Sequence, residues 1–186
     1  MSITNTSEAC APALDQVLFG REEAGVFVIL DGASVPALLK KLYELEPEYC
    51  CLYRGELQPD MASVAPYLVR LEPGSEFTGW VLKEGWGQHW GVFILSSATL
   101  RELRNHFREF HTVELPDLRT VLFRYYDPRV LRSFLPACNP EEIKLFFGPV
   151  SEFLVEADPA VSGIRYRIAA SLLKSIPFEL KKESGS

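Results

Sequence analysis

The chain has 186 residues, a net charge of −6, 47% hydrophobic and 12% aromatic residues. That is material for one core, or one core with a small second lobe, and it excludes a disordered chain or a small stapled scaffold. The acidic balance excludes a nucleic-acid binder and a polybasic membrane-surface protein, and no apolar run reaches the roughly 18 residues needed to span a bilayer.

MSITNTSEACAPALD lacks a basic region followed by an apolar stretch, so no signal peptide is expected. Val17, Leu18 and Arg21 predict a short helix over 14–24. VFVIL (26–30) is a buried strand closed by Asp31-Gly32. Ser34 is placed to cap a helix with Pro36 in its first turn. That helix carries the stripe Leu38, Leu39, Leu42, Tyr43 and Leu45, and Pro47 stops it. YCCLY (49–53) is a second buried strand. Strand, helix, strand at this spacing predicts a right-handed parallel crossover.

A loop with one turn of helix follows over 56–66, then a third strand, YLVRL (67–71). A short helix is expected over 75–85. In Gly85-Trp86-Gly87-Gln88-His89-Trp90-Gly91, three glycines and two tryptophans combine tight backbone with large flat side chains. Two readings stand: a flexible link whose Trp86 and Trp90 cap the core, or a partner-binding loop, since Trp is enriched at interface hot spots. GVFIL (91–95) is the fourth strand. Thr99 and Glu102 fit a capping box for a helix with Leu100, Leu103, Phe107 and Phe110 on its dry side. A short strand over 113–115 leads to a turn at Pro116-Asp117.

The organising stretch is VLFRYYDPRVLRSFL (121–135). Val121 to Tyr126 reads as a strand covered on both faces, interrupted by Arg124. Asp127 caps the helix that follows, with Pro128 in its first turn. An Arg among apolar residues needs a partner, and Asp127 is the nearest carboxylate. Either the two form an ion pair that pins the corner, or Arg124 grips a carboxylate or phosphate of a partner. Asn139-Pro140-Glu141-Glu142 opens another helix. A hairpin is expected from 150–156 and 164–168, then a last amphipathic helix over 169–178, with KKESGS (181–186) as a frayed tail. The predicted fold is α/β, a mostly parallel central sheet flanked by helices. Residues 1–138 form the main domain and 139–186 a small C-terminal helical and hairpin lobe.

Chemistry is sparse. Cys10, Cys50, Cys51 and Cys138 have no C-x-x-C spacing, so reduced thiols and no metal site are expected. No phosphate loop, dinucleotide fingerprint, nucleophile elbow or H-E-x-x-H is present. No cofactor and no catalytic residue are assigned.

Leu30-Asp31-Gly32, Ala65-Pro66-Tyr67-Leu68-Val69, Gly91 to Ser97 and Phe123-Arg124-Tyr125-Tyr126-Asp127-Pro128-Arg129-Val130-Leu131 together resemble the type VI secretion effector adaptor chaperones. The resemblance spans 26–135, and FRYYDPRVL is its most specific part. One departure is Asp117-Leu118-Arg119, where that family tends to carry a glycine turn. The resemblance implies a bacterial cytoplasmic adaptor, not an enzyme, whose partners are a secreted toxic effector and the spike protein of the secretion apparatus. It also implies a C-terminal lobe that selects the cargo. Arg124, Asp127, Trp86 and Trp90 are the structural or partner-binding candidates. Two alternatives stay open: a small hydrolase or transferase using Arg124, Asp127 and a His, and a ligand-binding module lined by Trp80, Trp86 and Trp90.

Overall fold

The computed structural model describes residues 6–20, 24–35, 37–114, 118 and 120–180. Its first helix, α1 (Thr6–Phe19), begins earlier than the periodicity suggested and runs through Pro12. The expected Arg21 and Pro36 positions, the Leu115–Asp117 turn with Arg119, and the tail at 181–186 lie outside the described residues.

Strand β1 (Gly25–Asp31) is buried along almost its whole length. Helix α2 (Leu38–Leu45) follows, and Leu38 and Leu42 seal it to the core. Its N-terminus has no side-chain cap, because Ala37, which has no polar side chain, occupies the N-cap position; the Ser34 hydroxyl donates instead to Asp31 Oδ2 at 2.9 Å. Then come β2 (Tyr49–Cys51), α3 (Pro59–Val64), β3 (Pro66–Leu71) and α4 (Glu76–Trp80), which loosens into a π turn over Val81–Gly85. After β4 (Gly91–Ser96), α5 (Leu100–Phe107) starts on the Thr99–Glu102 capping box read from the sequence. Helix α7 (Pro140–Phe147) starts on an equivalent Asn139–Glu142 box.

The central sheet has seven strands in the order β2-β3-β1-β4-β7-β8-β9, where β7 is Glu152–Glu156, β8 Ser162–Ala169 and β9 Leu172–Glu179. Every neighbouring pair is antiparallel. The expected mostly parallel sheet is therefore wrong. The β1–α2–β2 crossover does return the chain in the original direction, but it skips one position and β3 fills the gap, antiparallel to both neighbours. Continuous apolar strands signalled cover on both faces, not parallel pairing.

That cover is real. Val26, Val28 and Leu30 of β1 face one core, with Leu14 and Leu18 of α1, Leu38 and Leu42 of α2, and Trp86. Phe27 and Ile29 face the other, with Leu103 and Phe107 of α5, Tyr125, Tyr126 and the α7 residues Ile143, Phe146 and Phe147. Strict alternation along one strand feeds two helical layers.

Two further corrections concern the second half. The strand expected over 121–126 is only β6 (Thr120–Leu122), paired with β5 (Thr112–Glu114) in a separate ribbon. Tyr125 and Tyr126 lie in a turn, closed by Asp127 N–H donating to Arg124 O at 3.0 Å, before α6 (Pro128–Phe134). They are buried by side-chain packing rather than by a strand. The helix expected over 169–178 is instead β9, the partner of β8 across a two-residue turn at Ala170-Ser171. Thus β7, β8 and β9 extend the central sheet, and no terminal helix forms a lobe among the described residues.

Candidate functional site

Because β1 and β7 both run antiparallel to β4, their C-terminal ends emerge at the same end of the sheet. Each ends on a buried carboxylate, Asp31 and Glu156, and the turn before α6 adds a third, Asp127. A buried carboxylate is costly unless charges or N–H donors surround it, and all three are so surrounded.

Asp31 accepts from Ala33 N–H at 3.1 Å and from the Ser34 hydroxyl. It also forms an ion pair with the Arg124 guanidinium. Its side chain is 2% exposed, whereas that of Arg124 is 42% exposed. Asp127 caps α6 by accepting from Arg129 N–H at 2.9 Å. The Arg129 side chain folds back on it with Nε at 3.0 Å and an Nη at 2.7 Å. Burial pushes the Asp127 carboxyl up, but the Arg129 hydrogen bonds and the charges of Arg129 and Arg124 outweigh it and hold the group below the usual range. Hydrogen bonding to Asp31 raises Arg124 in turn. Burial, together with Tyr53, holds Tyr126 well above the ordinary phenol value, so it stays neutral beside this cluster.

Glu156 organises the loop before β4. Its Oε2 accepts from Gly87 N–H at 2.6 Å, and its Oε1 accepts from His89 N–H at 3.0 Å and meets the His89 ring. Its backbone carbonyl accepts from Arg132 of α6 at 2.5 Å. Positive φ at Gly87 and His89 lets both amides turn towards one carboxylate. Asp31 N–H donates to Trp90 O at 2.9 Å, so the loop is laced to β1 as well. A hollow of about 400 Å³ opens between residues 86–89 and 156–161. No hydroxyl, thiol or amine side chain lines it; His89 and Glu156 are its titratable members, with Asp158.

The structure does not join Arg124 to Asp127 as an ion pair. It gives Arg124 to Asp31 and Asp127 to Arg129, all within one cluster. Trp86 is 2% exposed, packs at a tilt against Phe93 and Phe178, and donates its indole N–H to Ala160 O at 2.6 Å. Trp90 is half-buried and packs on Trp80 with ring centres 4.9 Å apart. Trp80 borders a hollow beside α2 and α4, and Trp86 a different one beside Glu156. Asp31 and Glu156 went unrecognised as cluster members. Asp31 had only a turn signal, Asp-Gly, and Glu156 only the end of a weakly alternating strand.

Cys50, Cys51 and Cys138 are not in disulfides. Burial pushes the Cys50 thiol up to about 11, which makes it a poor nucleophile and ligand at neutral pH. Among the described residues, no three His, Cys, Asp or Glu side chains are grouped to hold a metal ion, and no helix is long and apolar enough to cross a membrane.

Residues 26–145 match the family model described as a domain of unknown function, DUF4123, and the chain belongs to that family. The match takes in β1, the loop before β4, the FRYYDPR turn and α6, and stops before β7. No curated protein and no solved structure matches the chain.

Proposed function

We propose that this member of the DUF4123 family is a bacterial cytoplasmic adaptor of the type VI secretion system. It binds one secreted toxic effector and loads it onto the spike protein, and it works by binding rather than catalysis. The observation that carries this reading is the family match over 26–145, since DUF4123 is associated with type VI effector adaptors.

The corner supports it chemically. Two half-exposed guanidinia, Arg124 and Arg129, are held in place by buried carboxylates. A cation fixed in this way meets a partner's acidic or carbonyl group with little ordering cost. A stable complex of this kind buries about 1,600 Å².

The test is capture. Tagged protein is purified from cells that also express a type VI effector and a spike protein from the same genome. Both partners should be retained through a salt wash. Retention of neither refutes the reading.

A further inference from the structure

The two edges of the central sheet are treated differently. At one edge, β2 is three residues long. Arg108 covers its exit by donating to the carbonyls of Cys51, Leu52 and Tyr53 at 2.9, 3.1 and 2.9 Å. At the other edge, β9 is eight residues long and has no outer neighbour among the described residues. Long open edges invite strand pairing, and folded chains blunt them unless they are used.

Which groups β9 offers follows from its turn. Across a two-residue hairpin loop the flanking pair, Ala169 and Leu172, exchanges both hydrogen bonds, and the pairs then alternate. The backbone N–H and C=O of Leu173 and Ser175 therefore point away from β8. Pro177 has the same outward parity, where a missing N–H costs the β8 ladder nothing. It closes the edge at that end and leaves Leu172–Ile176 open.

Charge narrows the occupant. The net charge of the chain is −6, yet β8 and β9 carry Arg165, Arg167 and Lys174 against Glu179 alone. Arg165 is engaged by Glu152. Arg167 and Lys174 stand directly opposite each other on one face, both exposed, and neither has an ion-pair partner among the described residues. Like charges opposite one another weaken a strand pair. On that face they are flanked by Leu172, 53% exposed, and Ile176, 37% exposed.

We propose that the outer edge of β9 accepts an extended, acidic segment of another protein as an eighth strand. The main chain of that segment pairs with Leu173 and Ser175. A carboxylate opposite Lys174 relieves the Arg167–Lys174 repulsion, and apolar residues on either side cover Leu172 and Ile176. Only the identity of that protein as the secreted effector rests on the adaptor reading; the strand addition does not.

The probe is a short labelled peptide, Thr-Val-Thr-Glu-Thr-Val-Thr, which puts Val, Glu and Val on one face of an extended strand, with the same peptide carrying Lys in place of Glu as control. The full-length chain should bind the Glu peptide, by anisotropy, at least about tenfold more tightly than the Lys peptide. Amide exchange at Leu173 and Ser175 should slow on binding. Ser175→Pro removes one outward N–H, and Lys174→Glu reverses the charge without touching the backbone; each should weaken Glu-peptide binding about tenfold. If Ser175→Pro fails to fold, Lys174→Glu decides. Equal affinity for both peptides, or unchanged exchange at Leu173 and Ser175, overturns the proposal. So does a free chain that sediments as a dimer with these amides already protected, since the occupant is then a second copy. In the capture assay, an effector held equally by wild type and both variants overturns the edge as its seat and leaves the adaptor reading standing. An effector not held by wild type, with peptide binding intact, overturns the adaptor reading alone.

Discussion

Arg124 and Asp31 are 93 positions apart in the chain and form an ion pair where β1 ends and the turn into α6 begins. The carboxylate is buried and the guanidinium is half in water, so the pair is asymmetric. Removing Arg124 leaves Asp31, among the described residues, with the Ala33 amide and the Ser34 hydroxyl. Arg124→Ala should cost about 1–2 kcal/mol, less than the roughly 3–5 of a fully buried pair, because water reaches the vacated side. Asp31→Asn in the same background should cost less than in the wild type, a coupling that a double-mutant cycle in urea measures. A variant that melts like wild type and loses partner binding would move Arg124 from the fold to the interface.

Glu156 makes a separable prediction. Its side chain satisfies two amides of the loop before β4, those of Gly87 and His89. Glu156→Ala should release both, so amide exchange at 87 and 89 accelerates while β1 and β4 stay protected. Trp86 should remain in its core site, because its indole is held by Ala160 and by Phe93 and Phe178. Faster exchange across the whole sheet would mean that Glu156 supports the fold globally.

The sequence made local features legible and hid pairings made at a distance. The capping boxes at Thr99 and Asn139, the strands β1 and β4 and the β7–β8 hairpin were readable because each is set by residues within a few positions of one another. Direction was not. VFVIL shows that β1 is covered twice, and only the insertion of β3 between β1 and β2 makes the sheet antiparallel. Strand β9 was misread because Leu172, Leu173 and Ile176 fit a helical stripe as well as a strand. Its turn residues, Ala170 and Ser171, also adopt positive φ without the Gly or Asn that announces such a turn. The corner was half legible: Asp127-Pro128 declared a cap, while Asp31 gave no local sign of its distant partner.

Gly148 tests how closely α7 is fitted to α5. It ends α7 at φ +48°, and a Cβ there would stand 2.3 Å from Cε1 of His106. The His106 ring is itself fixed by donating Nε2–H to Phe146 O at 2.8 Å. Gly148→Ala thus meets both backbone strain and a ring that resists moving. It should destabilise the chain by about 2 kcal/mol or more, seen as a lower urea midpoint with an unchanged slope. His106→Ala in the same chain should recover part of the loss by opening the space, and no recovery would show that strain at φ dominates.

The half-buried His106 and the buried His111 predict how stability depends on pH. Burial lowers the pKa of His106, partly offset by Phe146, and lowers that of His111, which sits among Tyr53, Tyr125 and Tyr126. In the unfolded chain both titrate near 6.5. The unfolded state therefore takes up protons first as pH falls, and stability drops with it. The contribution is complete above about pH 7 and is lost as pH falls through 6.5 towards the lower folded values. The Asp127 carboxyl, held below its ordinary value, adds a second loss only at more acidic pH. Thermal melts from pH 8 to 5 should be flat and then decline. His111→Gln, even if less stable at pH 8, should show a shallower decline, because one of the two imidazoles no longer titrates. An equally steep decline in that variant would assign the pH dependence to groups other than His111.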